Sequence, residues 1–195
     1  LEMTTNAIYQ SELIVGGQKS GKSKRAEQLV RQWLNTSQDH GALLIATAQV
    51  FDSEMQSRVD RHKEIRAQTI PEIRTIEEPL HIAPKLIEYS SAQNLIVVDC
   101  LTVWLTNLLM PHPDLQASQK IDPQEQVTDF LQALVGAKGP VVLVSNEIGL
   151  GVIPMGRETR VFVDELGRLN QRVAQLCKTV TLMVAGIPLE IKSAL

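Results

Sequence analysis

Short runs of aliphatic and β-branched residues alternate along the chain with longer segments whose apolar positions recur every three or four residues. The strand-like runs fall at 12–15, 42–47, 72–76, 94–99, 140–145 and 180–184, with a further short one at 189–192. Helix-like segments lie at 22–35, 52–66, 79–89, 101–110, 123–137 and 156–177. The runs LIVV (95–98) and VVLV (141–144) are apolar without alternation, which suits strands covered on both faces, as in a parallel sheet. This alternation predicts a doubly wound α/β fold with right-handed crossovers and a mostly parallel sheet of about six or seven strands.

Several element boundaries follow from local chemistry. Asp122, Pro123 and Glu125 supply an N-cap, a proline at the first helical position and a capping-box carboxylate. Segment 101–110 is apolar almost all round and is expected to be buried. In the last helix Phe162, Leu166, Leu169, Val173 and Leu176 form one stripe, which fits packing on the sheet or, alternatively, a subunit interface. Residues 111–121 read as a polar loop. Residues 1–11 read as an N-terminal tail and 12–195 as a single domain.

Composition narrows the class. With 195 residues, 44% hydrophobic and 21% charged, the chain is ordinary globular material, so disordered and collagen-like readings are excluded. A net charge of −3 argues against a nucleic-acid partner, which would demand a basic excess. Cys100 and Cys177 stand far apart, giving no disulfide framework or zinc spacing and fitting a reducing, cytoplasmic setting. The most apolar stretch, 95–110, is broken by Asp99, Thr102, Thr106 and Asn107, so no membrane span is expected.

The sharpest local signal is Gly16, Gly17, Gln18, Lys19, Ser20, Gly21, Lys22 and Ser23, a full GxxxxGK[ST] pattern between a strand and a helix. Its glycines let successive N–H groups turn toward a phosphate at the positive end of the helix. Lys22 then reaches the β- and γ-phosphates, and Ser23 offers a hydroxyl to Mg²⁺. This makes the fold P-loop NTPase-like. Ligands of open α/β sheets sit beyond the carboxyl ends of the strands, where Thr47, Ala48 and Gln49, then Asp99, then Asn146 and Glu147 fall. Asp99 ends a Walker-B-like strand and reads either as a Mg²⁺ ligand or as a cap for the next helix. Gly149 and Gly151 suggest a bent loop over the site. The guanine-reading NKxD pattern of switch GTPases is absent, and no hydrolase triad is evident.

Segment 52–66 places Glu54, Arg58, His62 and Arg66 on one helical stripe. One reading is a solvated face laced with ion pairs. The other starts from the cations Arg58, Arg61, Lys63 and Arg66, which favour a neutral, nucleophilic His62 ring and would stabilise charge on a phosphoryl group under attack.

Taken together, GGQKSGKS, IATAQVFDSEMQSRVDRHKEIR, RTIEE, VVDCLTVWLTNLL and SNEIGLGVIPMGRETRVFVDELGRLNQRVA resemble, in order, the bifunctional adenosylcobinamide kinase / adenosylcobinamide-phosphate guanylyltransferase family of cobalamin biosynthesis. The resemblance implies a transferase that phosphorylates adenosylcobinamide with ATP or GTP. It then passes GMP from GTP, through a guanylyl-histidine, to give adenosylcobinamide-GDP. The histidine falls on His62. Nucleotide contacts fall on the phosphate loop, on Thr47, Ala48 and Gln49, on Lys63, Glu64, Ile65 and Arg66, and on Glu77 and Asp99. Both transfers call for Mg²⁺ to neutralise triphosphate charge, and the resemblance implies a homotrimer. The chain departs from the family where Lys19 replaces a frequent arginine, where Glu64 and Ile65 replace Asp-Gly, and where Asp99 replaces a frequent Glu. A single-function small-molecule kinase and a non-catalytic nucleotide-binding module are the competing readings.

Overall fold

The computed structural model describes residues 11–49, 70–112 and 121–193. The expected helix 52–66, with His62, Lys63, Glu64, Ile65 and Arg66, lies outside the described residues, as does most of the expected 111–121 loop. The strands are β1 (Glu12–Gly16), β2 (Gly41–Ala46), β3 (Ile73–Glu77), β4 (Asn94–Asp99), β5 (Val141–Asn146), β6 (Thr179–Val184) and β7 (Ile187–Lys192). The helices are α1 (Lys22–Leu34), α2 (Ile82–Tyr89), α3 (Leu101–Leu109), α4 (Pro123–Val135) and α5 (Arg157–Leu176).

The seven strands of the described residues form one sheet in the order β3-β2-β4-β5-β1-β6-β7. Every pairing is parallel except β6 with β7. That last pair is joined by Ala185 at φ 51° and Gly186 at φ 81°, a two-residue connection with both residues left-handed. Such a turn suits a hairpin and is far too short for a parallel crossover.

The unbroken apolar runs are explained by two covered faces. Along β4, Leu95 and Val97 join Ile14, Leu44, Val142 and the α1 residues Ala26, Val30 and Trp33. Ile96 and Val98 point the other way, into a larger core with Leu86, Trp104, Phe130 and Leu166 from α2–α5. Trp104 is fully buried, meets Phe130 edge-on at 5.2 Å and donates its indole N–H to Leu80 O at 2.8 Å. Helix α3 is buried as its composition requires, and Asp122 caps α4 by accepting from Gln124 N at 2.9 Å. Of the α5 stripe, Leu166, Leu169 and Val173 are buried in the sheet-facing core and Phe162 packs against it, whereas Leu176 is partly exposed. The stripe therefore packs on the sheet.

Candidate functional site

Among the described residues six parallel strands bring their carboxyl ends to one edge of the sheet, and the phosphate loop rises from β1, between β5 and β6. Gly16 closes β1 where there is no room for a side chain: a Cβ there would lie 2.6 Å from both Met183 O and Ser20 Oγ. Gly21 adopts φ 102° and faces Gly186 Cα, 3.1 Å from where its Cβ would be. Gly17, Gln18 and Lys19 form the exposed crest of the loop. Gly186 N donates to Ser20 O at 2.9 Å, so the β6–β7 turn braces the loop. Gly21 is the N-cap of α1 and brings no side chain to it, which leaves the first amides of that helix available to an anion.

Lys22 is buried at the base of the loop, and its Nζ donates to Gly16 O at 3.0 Å and Gly17 O at 2.6 Å. Burial pulls its pKa below the usual value, partly offset by the neighbouring Cys100 and Asp99 groups. Ser23, one residue on, donates its hydroxyl to Asp99 Oδ2 at 3.2 Å. Strand β5 separates β1 from β4, so the pair meets only because α1 crosses the sheet face toward β4. Two hard oxygen donors next to a phosphate loop fit Mg²⁺, which takes one or two protein oxygens and fills its shell with phosphate and water.

A polar network fixes the strand ends around this pair. Thr47 follows β2 and is fully buried; its hydroxyl donates to Cys100 O at 2.8 Å and accepts from Cys100 N at 2.9 Å. Thr47 N donates to Asp99 O at 3.1 Å, so this threonine clamps the backbone on both sides of the Asp99–Cys100 peptide, which is cis. Asn107, from the apolar α3, donates to Thr47 O at 2.9 Å and Pro79 O at 3.0 Å. Thr102 Oγ1 accepts from Asn146 N at 2.7 Å. Asn170 of α5 accepts from Ser145 Oγ at 2.7 Å and donates to Asn146 O at 3.1 Å. In the sequence Thr102 and Asn107 stood out only as interruptions of an apolar stretch, and Ser145 and Asn170 not at all; the available signal was their polarity at positions surrounded by core residues.

The structure thus brings together Gly16 to Ser23, Thr47 and Asp99. Ala48 and Gln49 follow Thr47 at the same edge, and Gln49 Oε1 is a buried acceptor without a partner among the described residues, as is Ser20 Oγ. Glu77 ends the edge strand β3, opposite Ala46 in register, and is exposed. His62 to Arg66 lie outside the described residues. Burial lifts the Cys100 thiol to about 11 and the Cys177 thiol to about 12, so neither is a ready thiolate. A cavity of about 540 Å³ sits instead at the opposite end of the sheet, against Ser11, Trp33, Leu134, Lys138 and Lys178, away from every residue of the phosphate loop.

The family described as cobinamide kinase / cobinamide phosphate guanyltransferase matches residues 12–191. The bifunctional adenosylcobalamin biosynthesis protein CobP of Pseudomonas aeruginosa is 41% identical over 181 residues, spanning 93% of this chain and 96% of that protein. The corresponding CobU of Escherichia coli is 34% identical over 187 residues, spanning 92% and 98%. Among solved structures, the flagellar accessory protein FlaH from Methanocaldococcus jannaschii shares the fold, with a TM-score of 0.51 at 10% identity over 94% of this chain and 78% of that one. Similarity running from the first strand to the last fixes the lineage: this chain belongs to the cobinamide kinase / cobinamide phosphate guanyltransferase family.

Proposed function

We propose that this chain performs two transfers at one nucleotide site. In the first, the hydroxyl of the aminopropanol arm of adenosylcobinamide attacks the γ-phosphorus of ATP or GTP; the bond from that phosphorus to the β,γ-bridging oxygen breaks, and a nucleoside diphosphate leaves. In the second, a ring nitrogen of His62 attacks the α-phosphorus of GTP and pyrophosphate leaves. A phosphate oxygen of adenosylcobinamide phosphate then displaces His62 from the GMP phosphorus, giving adenosylcobinamide-GDP.

The observation that carries this reading is the phosphate loop with Lys22 and the Ser23–Asp99 pair, in a chain that matches the family over nearly its whole length. Lys22, now bonded to loop carbonyls, is placed to exchange them for phosphate oxygens and to stabilise charge on the leaving group in both steps. Mg²⁺ held by Ser23 Oγ and Asp99 Oδ2 would neutralise triphosphate charge. Thr47, Ala48 and Gln49 line the nucleotide; Gln49 Oε1, without a partner among the described residues, suits an N–H donor of the base. Lys63, Glu64, Ile65, Arg66 and Glu77 complete the contacts by family resemblance.

One sheet takes strands from 12 to 192, which supports reading 12–195 as a single domain. No helix among the described residues is long and apolar enough to cross a membrane; a cytoplasmic enzyme is the reading the family favours. A homotrimer is likewise favoured, and Ile187, Leu189 and Ile191, exposed along the edge strand β7, give a second copy an apolar face to cover. The test of the kinase step is transfer of the γ-phosphate of labelled ATP to adenosylcobinamide. Wild type is expected to transfer it and Lys22→Met to lose at least about a hundredfold in rate; equal rates would remove Lys22 from the reaction.

A further inference from the structure

The segment between β5 and α5 exposes more large apolar surface than any loop of its length should. Leu150, Val152, Ile153 and Met155 are 84%, 95%, 78% and 96% exposed. Scattered apolar residues on a surface are normal, but four within six positions are not. The segment is also held in place. Asn146, just before it, is gripped by Thr102 and Asn170. Glu147 N donates to Gly16 O of the phosphate loop at 3.0 Å, and Gly149 N donates to Glu147 Oε1 at 2.8 Å. At the far end Arg160 of α5 donates to Pro154 O at 3.0 Å and to Met155 O. The result is a strap tied at both ends, one hydrogen bond from the nucleotide site, with its aliphatic side chains turned to solvent.

We propose that the strap 147–156 receives the corrin ring of the acceptor. The inference rests on the function proposed above, which makes the acceptor a methyl-studded macrocycle whose reacting hydroxyl sits at the end of an arm. Such a substrate reaches the γ-phosphate with the arm while its ring lies to one side of the phosphate loop. The strap adjoins that loop through the bond from Glu147 N to Gly16 O. The chain has only 7 aromatic residues, 2 Trp, 2 Tyr and 3 Phe, and none falls in the strap, so aliphatic contact takes the place of ring stacking. The backbone anchors cut the ordering cost of binding, because the strap is positioned before the acceptor arrives.

The test compares wild type with the double variant Val152→Ser/Ile153→Ser and with Leu150→Ser, a second variant away from the Arg160 anchor. Steady-state kinase assays vary adenosylcobinamide and GTP separately, and sedimentation gives the assembly state. The KM for adenosylcobinamide is expected to rise about tenfold or more, since each methylene lost from an apolar contact carries roughly that weight. The KM for GTP and the acceptor-free labelling of the protein by GTP should stay as in wild type. An unchanged KM for adenosylcobinamide would overturn the inference. So would a shift in sedimentation, which would make the strap a contact between copies of the chain. Wild type that fails to phosphorylate adenosylcobinamide at all would instead bring down the proposed function itself.

Discussion

At the scale of single residues, the phosphate loop is shaped by where side chains cannot go. A methyl on Gly16 would meet the backbone oxygen of Met183 at 2.6 Å, whereas a methyl on Gly17 would meet nothing within 4 Å. Gly16→Ala is therefore expected to cost about 1–3 kcal/mol and Gly17→Ala less than about 0.5 kcal/mol in denaturant unfolding. Equal costs would contradict the close approach of β1 to β6. Lys22 makes a second prediction through its proton. Its pKa lies below 10.5 in the folded chain, chiefly because burial disfavours the ammonium. The penalty for burying the charge is then full below the lowered value and vanishes above about 10.5, where the unfolded chain also loses the proton. Wild type should gain stability relative to Lys22→Met as the pH rises toward that limit, as urea midpoints measured across the alkaline range would register. A gap that stays constant with pH would mean the ammonium is better solvated than its position implies.

At the scale of elements, the helices act as levers that bring distant residues to one edge. Helix α1 carries Ser23 across β5 to Asp99, and the same helix pins β1 through Arg25, which donates to Glu12 at 3.2 Å and 3.3 Å. Glu12 is buried and also accepts from Thr181 Oγ1 at 2.8 Å, so β1, β6 and α1 share one carboxylate. Removing the cation leaves that charge half-compensated in the sheet. Arg25→Ala should destabilise by about 2 kcal/mol, with Glu12→Gln in the same background recovering part of it, both read from thermal unfolding. A neutral Arg25→Ala would mean that water already serves Glu12. The described elements were legible because their patterns are local: period in the helices, unbroken apolar runs in the central strands, cap chemistry at Asp122. The direction of β7 was not, since it depends on two left-handed residues, Ala185 and Gly186, of which only the glycine advertises that conformation.

At the scale of the whole molecule, seven strands set a phosphate loop, a carboxylate and a hydrophobic strap along one edge. The loop and Asp99 were legible from sequence because each ends an apolar run. The Thr102–Ser145–Asn170 network and the Asn107 bridge were not, because they join residues far apart in the chain, drawn from α3, β5 and α5. Thr47 shows the same limit: its place at the edge was legible, but not that its hydroxyl is engaged in both directions by Cys100. On the proposed function, one site performs both a phosphoryl and a guanylyl transfer. The most direct test is to incubate the protein with Mg²⁺ and GTP labelled at the α- or the γ-phosphate, then denature and wash it. Retained α-label that is acid-labile, base-stable and lost in His62→Asn is expected. Protein that still moves the γ-phosphate to adenosylcobinamide but retains no α-label would contradict it, leaving a kinase whose His62 helix is only a charged face.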